Sequence, residues 1–568
     1  MKRTALDFLF FLAAILAASL IGAAQVMAAP PVGNTAFGTG ALPNAATDGS
    51  GDFNSAFGFT ALGANSTGFE NTATGADALA VNTIGDENTA LGAFTLSENS
   101  MGCDNTAIGS TALNHNTTGT GNTAIGGGAL DQNSTGNENT ATGENALELN
   151  RGNDNTATGA SALLSNTTGN FNTAAGEHTL FANTTGFDNT ATGASALFTN
   201  TTGAQNTATG ANALFSNTTG IANTATGVNA LNANTTGREN TATGFDALNT
   251  NSSGSLNTAD GFRALSHNTS GSNNTANGQL ALNQNTTGID ETAVGGLALQ
   301  SNTTGNFNTA SGFQTLAANT TGGMDTAAGV NALLKNTTGQ RNTALGVNTM
   351  LNNTTGSGNI ALGVLAGANL TTGSNNIDVG SAGVAAESNT IRIGGQGTQT
   401  RAFVAGIFGG MVTGDAVVVS NTGQLGVVVS SARYKRDIRA MGSSSDALMK
   451  LRPVTFRYRN DPSQQRQYGL VAEEVARVYP DLVSRDVAGK VITVHYHELI
   501  PMLLNEVQRQ AGQVQKQANE IGRLNAKIAQ DQAQLVSSEQ RLSALEQKMQ
   551  VKDATYSLVN VSPSQPLR

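Results

Sequence analysis

The chain has 568 residues, more than one domain usually holds, with 68 Gly, 9 Pro, no Trp, 5% aromatic and only 12% charged residues, where globular domains carry about 25% charge. That composition excludes an aromatic-rich compact core for most of the length, and a single cysteine, Cys103, excludes an intrachain disulfide framework or a multi-cysteine metal site. The net charge of -10 hides a late basic cluster (Arg433, Lys435, Arg436, Arg439, Lys450, Arg452, Arg457, Arg459); the neutral-to-acidic part before it carries no nucleic-acid footprint.

The first 28 residues read as an export signal. Lys2 and Arg3 precede the apolar run from Phe8, and Val26-Met27-Ala28 supplies the small residues wanted at a cleavage site. The run is short for a span of about 20 residues, so a cleaved signal is favoured over an anchor. The expected mature chain is exported, extracellular or at the cell surface, and has no integral membrane anchor.

From residue 29 to 376 one unit dominates. NTATG at Asn71 recurs in near copies at Asn88, Asn105, Asn122 and Asn139, has one shortened interval before Asn155, and continues through Asn274, Asn308, Asn342 and Asn359 to Asn376 at a spacing of about 17 residues. A unit of this length, reading roughly N-T-A-x-G-x-x-A-L-x-x-N-T-T-G-x-x, is too short for a helix hairpin and is punctuated twice by glycine, which predicts a β-solenoid with two short strands per coil. The near-invariant alanine (Ala73, Ala90, Ala107) should face inward and the next, variable position outward. Leu79, Leu113 and Leu130 form a second inward stack, and Asn82, Asn166 and Asn183 are placed for turn ladders. The core so formed is thin, which favours packing with sister chains.

These units resemble the head repeats of trimeric autotransporter adhesins, β-rolls that associate in threes. The resemblance implies a homotrimer with a host-surface, glycan or matrix ligand. The C-terminal membrane strands of those adhesins have no counterpart in the polar tail, 551–568. Thr72 and Thr74 outline a T-x-T array of an ice-binding kind, but the outward position is often Leu, Ile, Phe57 or Asp260, so solvated threonines are the preferred reading. The N-T-T strings match the glycosylation pattern, yet the repeat itself dictates them.

A β-rich neck is expected over 377–429, with strand-like runs at Thr390–Ile393, Ala402–Ile407, Ala416–Ser420 and Gln424–Val429. It is similar to the neck of bacterial and phage proteins bearing a tail-fibre-type chaperone domain. Then Ser430-Ser-Ala-Arg433-Tyr-Lys435-Arg-Asp-Ile438 resembles the entry of the intramolecular chaperone domain of endosialidases, phage tail spikes and a membrane-bound transcription factor family. The family pattern is serine, usually aspartate, any residue, arginine, any residue, lysine, then isoleucine. Ser430, Arg433, Lys435 and Ile438 match; Ser431 stands where the aspartate would. Similarity extends through Leu451–Phe456, Tyr468–Val475, Tyr479–Val483 and Val494–Leu499, giving a small α+β domain over 430–510.

A serine hydroxyl becomes a nucleophile when a base takes its proton, and a partly buried lysine can serve. Ser430 is therefore assigned as nucleophile and Lys435 as base, with the bond beside Ser430 as substrate. On spacing alone a solvated lysine would be preferred; the family pattern tips the balance. No cofactor or metal is called for. His495 and His497 read as satisfied or solvent-facing residues of a strand-like run, Glu473 and Glu474 as the start of an amphipathic helix through Val478, and no paired acidic cleft points to a glycosidase.

A coiled coil is expected over 511–550: Ile500, Val507, Val514, Ile521, Ile528, Leu535, Leu542 and Met549 keep a strict seven-residue spacing, one seam that begins ahead of it. The complementary seam alternates Leu503, Leu524 and Leu545 with Gln510, Gln517, Asp531 and Ser538. It favours a clamp for registering chains over a lasting one. The two resemblances agree on a trimer, while the seam by itself permits a dimer.

Overall fold

A computed structural model describes residues 33–556 apart from 45–49, 406, 408–413, 415, 421 and 487, and, for residues 553–556, the backbone alone. The expected signal segment, 1–28, and the extreme tail, 557–568, lie outside the described residues. The chain divides into two units with a boundary at 411/412.

The first unit is a β-solenoid. Its three-residue strands, such as Thr72–Thr74, Thr89–Leu91 and Thr106–Ile108, build one 22-stranded parallel sheet with each alanine directly over the next. The alanines Ala73, Ala90 and Ala107 are fully buried while Leu91 is 48% exposed, the period-two orientation expected of a strand. Leucines from the opposite side (Leu62, Leu79, Leu96) close the core at 0% exposure.

That opposite side corrects one expectation. Each coil has one strand, not two, because the A-L segment runs through consecutive turns in which Asp77 (φ 58°) and Leu79 (φ 53°) are left-handed. Hydrogen bonding between coils nevertheless continues around the corner. Leu79 N–H donates to Thr95 O at 3.0 Å in the following coil, and Gly92 N–H donates to Thr74 O at 2.9 Å in the preceding one. A left-handed L-residue costs roughly 1–2 kcal/mol. Two per coil therefore cost roughly 2–4 kcal/mol; fully burying the leucine side chain returns about 1.5–3 kcal/mol, and the inter-coil hydrogen bonds kept around the corner add about 1 kcal/mol each, so burial and ladder together offset the strain.

Two buried asparagine columns run through most of the unit, the second ending at Asn353, beyond which Leu370 takes the position. Asn88 Nδ2 donates to Asn71 Oδ1 (3.1 Å), and Asn82 Nδ2 donates to Asn65 Oδ1 (2.8 Å). The columns meet at one atom per coil, since Gly85 O accepts from both Asn71 Nδ2 and Asn82 Nδ2 at 2.9 Å. Buried amides satisfied in this way escape the penalty of an orphaned polar group. The two glycines of the unit are enforced by close approach: a Cβ on Gly75 (φ +143°) would lie 2.1 Å from Gly92 O, and one on Gly85 would lie 2.3 Å from Gly102 O.

Carboxylates replace asparagine twice in the first column. Glu291 and Asp325 are fully buried; Glu291 Oε1 accepts from Asn308 Nδ2 (3.0 Å), and Asp325 Oδ1 accepts from Asn342 N–H (2.7 Å) and Nδ2 (3.0 Å). Burial pushes Glu291 up to about 9 and Asp325 up to about 7. The coil beginning at Asn139 is one residue short, and its columns are unbroken: Asn150 Nδ2 still reaches Asn133 Oδ1 (3.2 Å) and Gly152 O (2.9 Å).

The sheet continues through Ile377–Val379 and Ile391–Ile393. There Asp378 takes the inward alanine position and is pushed up to about 6, chiefly by burial, and Arg392 on the next rung pairs with Glu387 at 2.8 Å.

In the second unit, Val417–Val419 and Leu425–Val427 form an antiparallel hairpin. A second hairpin joins Val454–Phe456 to Gln467–Gly469, followed by a short helix, Ala472–Val478. A third pairs Val483–Arg485 with Val491–Val494, and a 61-residue helix spans Tyr496–Tyr556. The helix therefore starts inside the run read as strand-like, taking His497 with it. Leu448, Val475, Leu482, Val483, Val494 and Met502 make a small core. No helix among the described residues is long and apolar enough to cross a membrane.

Candidate functional site

The structure brings Ser430 and Lys435 together. After the hairpin strand Leu425–Val427 the chain runs open to Ser430, then makes a single 3-10 turn over Ala432–Tyr434. Tyr434 N–H donates to Ser431 O (3.0 Å) and Lys435 N–H to Ala432 O (3.1 Å), after which Lys435 is extended. Five positions spanning one tight turn return the lysine to the serine. Lys435 Nζ donates to Ser430 Oγ at 3.0 Å.

Ser431 occupies the N-cap of this turn and makes no side-chain cap hydrogen bond. An aspartate is a strong acceptor at such a position, which gives a local reason for the family pattern to place one there. Arg433 lies over its neighbour's ring, its guanidinium carbon 4.7 Å from the Tyr434 centroid. Ile438 is 67% exposed and follows Asp437, which is left-handed at φ 57°.

The whole segment from Ser430 to Ala440 is exposed in the single chain. Its downstream end is fixed: Asn505 Nδ2, on the long helix, donates to Gly442 O (2.9 Å) and Ser445 Oγ (2.6 Å), and Arg509 pairs with Asp446 at 2.8 Å. The dyad thus sits on a strap held from the helix. Among the described residues nothing covers Lys435, and base chemistry by lysine depends on such covering.

The remaining candidates separate. Glu474 pairs with Arg452, whose guanidinium holds that carboxyl below its ordinary range; Glu473 is exposed on the same helix. His497 is an exposed helix residue 3.7 Å from Glu498. His495 is satisfied at one ring nitrogen, its Nε2 2.8 Å from Ser484 Oγ. No local spacing signals that partner, which lies 11 residues away across a hairpin. Cys103 is half-buried, with its sulfur 3.4 Å from Asp86 N.

Residues 430–484 match the family model described as chaperone of endosialidase. No curated protein matches the chain. A chaperone-of-endosialidase domain therefore follows a long β-solenoid in this protein.

Proposed function

We propose that the chain forms an exported, homotrimeric, adhesin-like fibre whose C-terminal domain drives assembly and then cuts itself away beside Ser430. The observation that carries this reading is the 3.0 Å contact of Lys435 Nζ with Ser430 Oγ, inside the segment matched by the chaperone family. In the reaction, the neutral lysine amine takes the hydroxyl proton as Oγ attacks the adjacent carbonyl carbon. The proton then passes to the leaving amide nitrogen, and water releases the resulting ester.

Assembly supplies what one chain lacks. Ile500, Val507, Val514, Ile521, Ile528 and Leu535 are 53–70% exposed along the helix, and a seven-residue apolar repeat buries itself only against other helices. Drawing chains together about that seam also offers cover for Lys435. Adhesin-head-like repeats and a chaperone of this type both favour three copies. The solenoid then serves as the displayed shaft, with a host-surface, glycan or matrix ligand.

The openness of Lys435 in the protomer favours a second reading, in which the domain stays attached as a permanent trimerisation module. Mass spectrometry of the assembled wild type and of Ser430→Ala separates the two. A wild-type fragment beginning near Ser430 and absent from the variant supports cleavage; two full-length products overturn it.

A further inference from the structure

Beyond the strap, one cluster in the second unit has the layout of an activated nucleophile. Ser484 lies on the strand Val483–Arg485, His495 directly follows the paired strand Val491–Val494, and Glu498 is in the first turn of the long helix. Ser484 Oγ is 2.8 Å from His495 Nε2. The other ring nitrogen, Nδ1, is buried and without a hydrogen bond; the group facing it is Glu498 Oε1 at 3.4 Å, which His497 Nε2 also approaches at 3.7 Å. A nucleophile within hydrogen-bond reach of a base that a third group orients is the signature of nucleophilic catalysis. The Glu498 contact is long, as such contacts often are before substrate binds.

The local fold supports the arrangement. The hairpin register shifts between Ser484 and Arg485, so that Ile492 is the extra residue of a bulge. Bulges re-aim side chains and concentrate beside active sites. Three short-range elements, a bulged strand, its partner's end and a helix start, converge on one imidazole. Val483 and Val494 are buried on either side, which fixes the strand ends from which Ser484 and His495 project.

We infer that Ser484, His495 and Glu498 form a second nucleophilic centre, an acyl-transfer site for esters of small carboxylic acids. Ser484 is only half-buried on an open hairpin, and an open site suits an ester carried on a larger molecule. In the reaction His495 Nε2 takes the Ser484 proton as Oγ bonds to the acyl carbon. The ester C–O bond breaks, and the leaving alkoxide takes the proton from the imidazolium. Water, deprotonated by His495, then hydrolyses the acyl-serine, releasing the carboxylic acid and restoring the hydroxyl. Glu498 orients the ring and stabilises its cationic form.

The test uses the full chain in a Ser430→Ala background, so that the dyad cannot react. A fluorophosphonate probe is added and labelled serines are mapped by mass spectrometry; attack at phosphorus expels fluoride and leaves a stable phosphonyl-serine. Ser484 is expected to label at least tenfold faster than any other serine, and His495→Gln to remove that advantage. Glu498→Gln should slow labelling several-fold and alter its pH profile, a readout that a merely structural contact would not move. Circular dichroism confirms that each variant keeps its helix. The inference is overturned if Ser484 in the folded protein labels no faster than other serines, or if His495→Gln labels as fast as its parent.

Discussion

The two buried carboxyls in the asparagine column make solenoid stability a function of pH, and replacing Glu291 with glutamine isolates the effect. Burial raises Glu291 from 4.5 to about 9, so between those values the folded state keeps a proton that the unfolded chain has released. Stability is then fully present below about 4.5 and declines as pH rises, levelling off only above the folded value. The slope is about 1.4 kcal/mol per pH unit. Glutamine keeps the acceptor used by Asn308 Nδ2, adds N–H donors and carries no proton to lose. Its advantage over glutamate should therefore grow from about 1 kcal/mol at pH 5.5 to about 5 kcal/mol at pH 8.5. Thermal unfolding of both chains at the two pH values reads the difference, with limited proteolysis reporting on the coils around residue 291. Equal gaps at the two pH values, or a less stable variant at pH 8.5, would refute the reasoning. Asp325→Asn should show the same trend, confined to the window from 3.8 to about 7.

Other perturbations test the ladders and the helix. Asn206→Ala removes the acceptor used by Asn223 N–H (3.0 Å) and Asn223 Nδ2 (3.1 Å); with these donors buried, a loss of about 2–3 kcal/mol is expected, read by denaturant unfolding. Gly227→Ala forces a left-handed alanine whose Cβ lies 2.5 Å from Gly244 O. It should cost about 3 kcal/mol or more and open a proteolytic site near that coil. On the helix, Leu535→Asp places a charge on a side chain 63% exposed in the protomer; it should leave the protomer folded and weaken self-association at least tenfold, measured by light scattering of eluted species.

Much of the solenoid was legible because a repeat is an experiment performed many times on one site. The alanine that hardly varies had to be inside, and Ala73 and Ala90 are. The second strand was misread because a backbone can keep its ladder through left-handed turns, and nothing in A-L announces that Leu79 will sit at φ 53°. The acidic replacements were visible as the missing asparagines at 291 and 325, but a charge in a repeat looks like surface until the column is known to be buried. In the C-terminal domain, spacing alone favoured a solvated Lys435, and it was the family pattern that pointed to the Ser430–Lys435 contact, which a single turn spans. The Ser484–His495 pair depends on hairpin register over 11 residues, which no local pattern supplies.

The short coil at Asn139 has a practical consequence. It drops a residue between Asn150 and Gly152 while both columns pass through unbroken and Arg151 N–H still donates to Thr167 O at 2.9 Å, so the columns do not depend on the length of that corner. Loops of foreign sequence inserted at the equivalent Thr-Thr corners, for instance between Thr201 and Thr202, should be carried outward at regular intervals along the shaft. The same tolerance of length makes the corner the place where the repeat can acquire a new epitope without relearning how to stack.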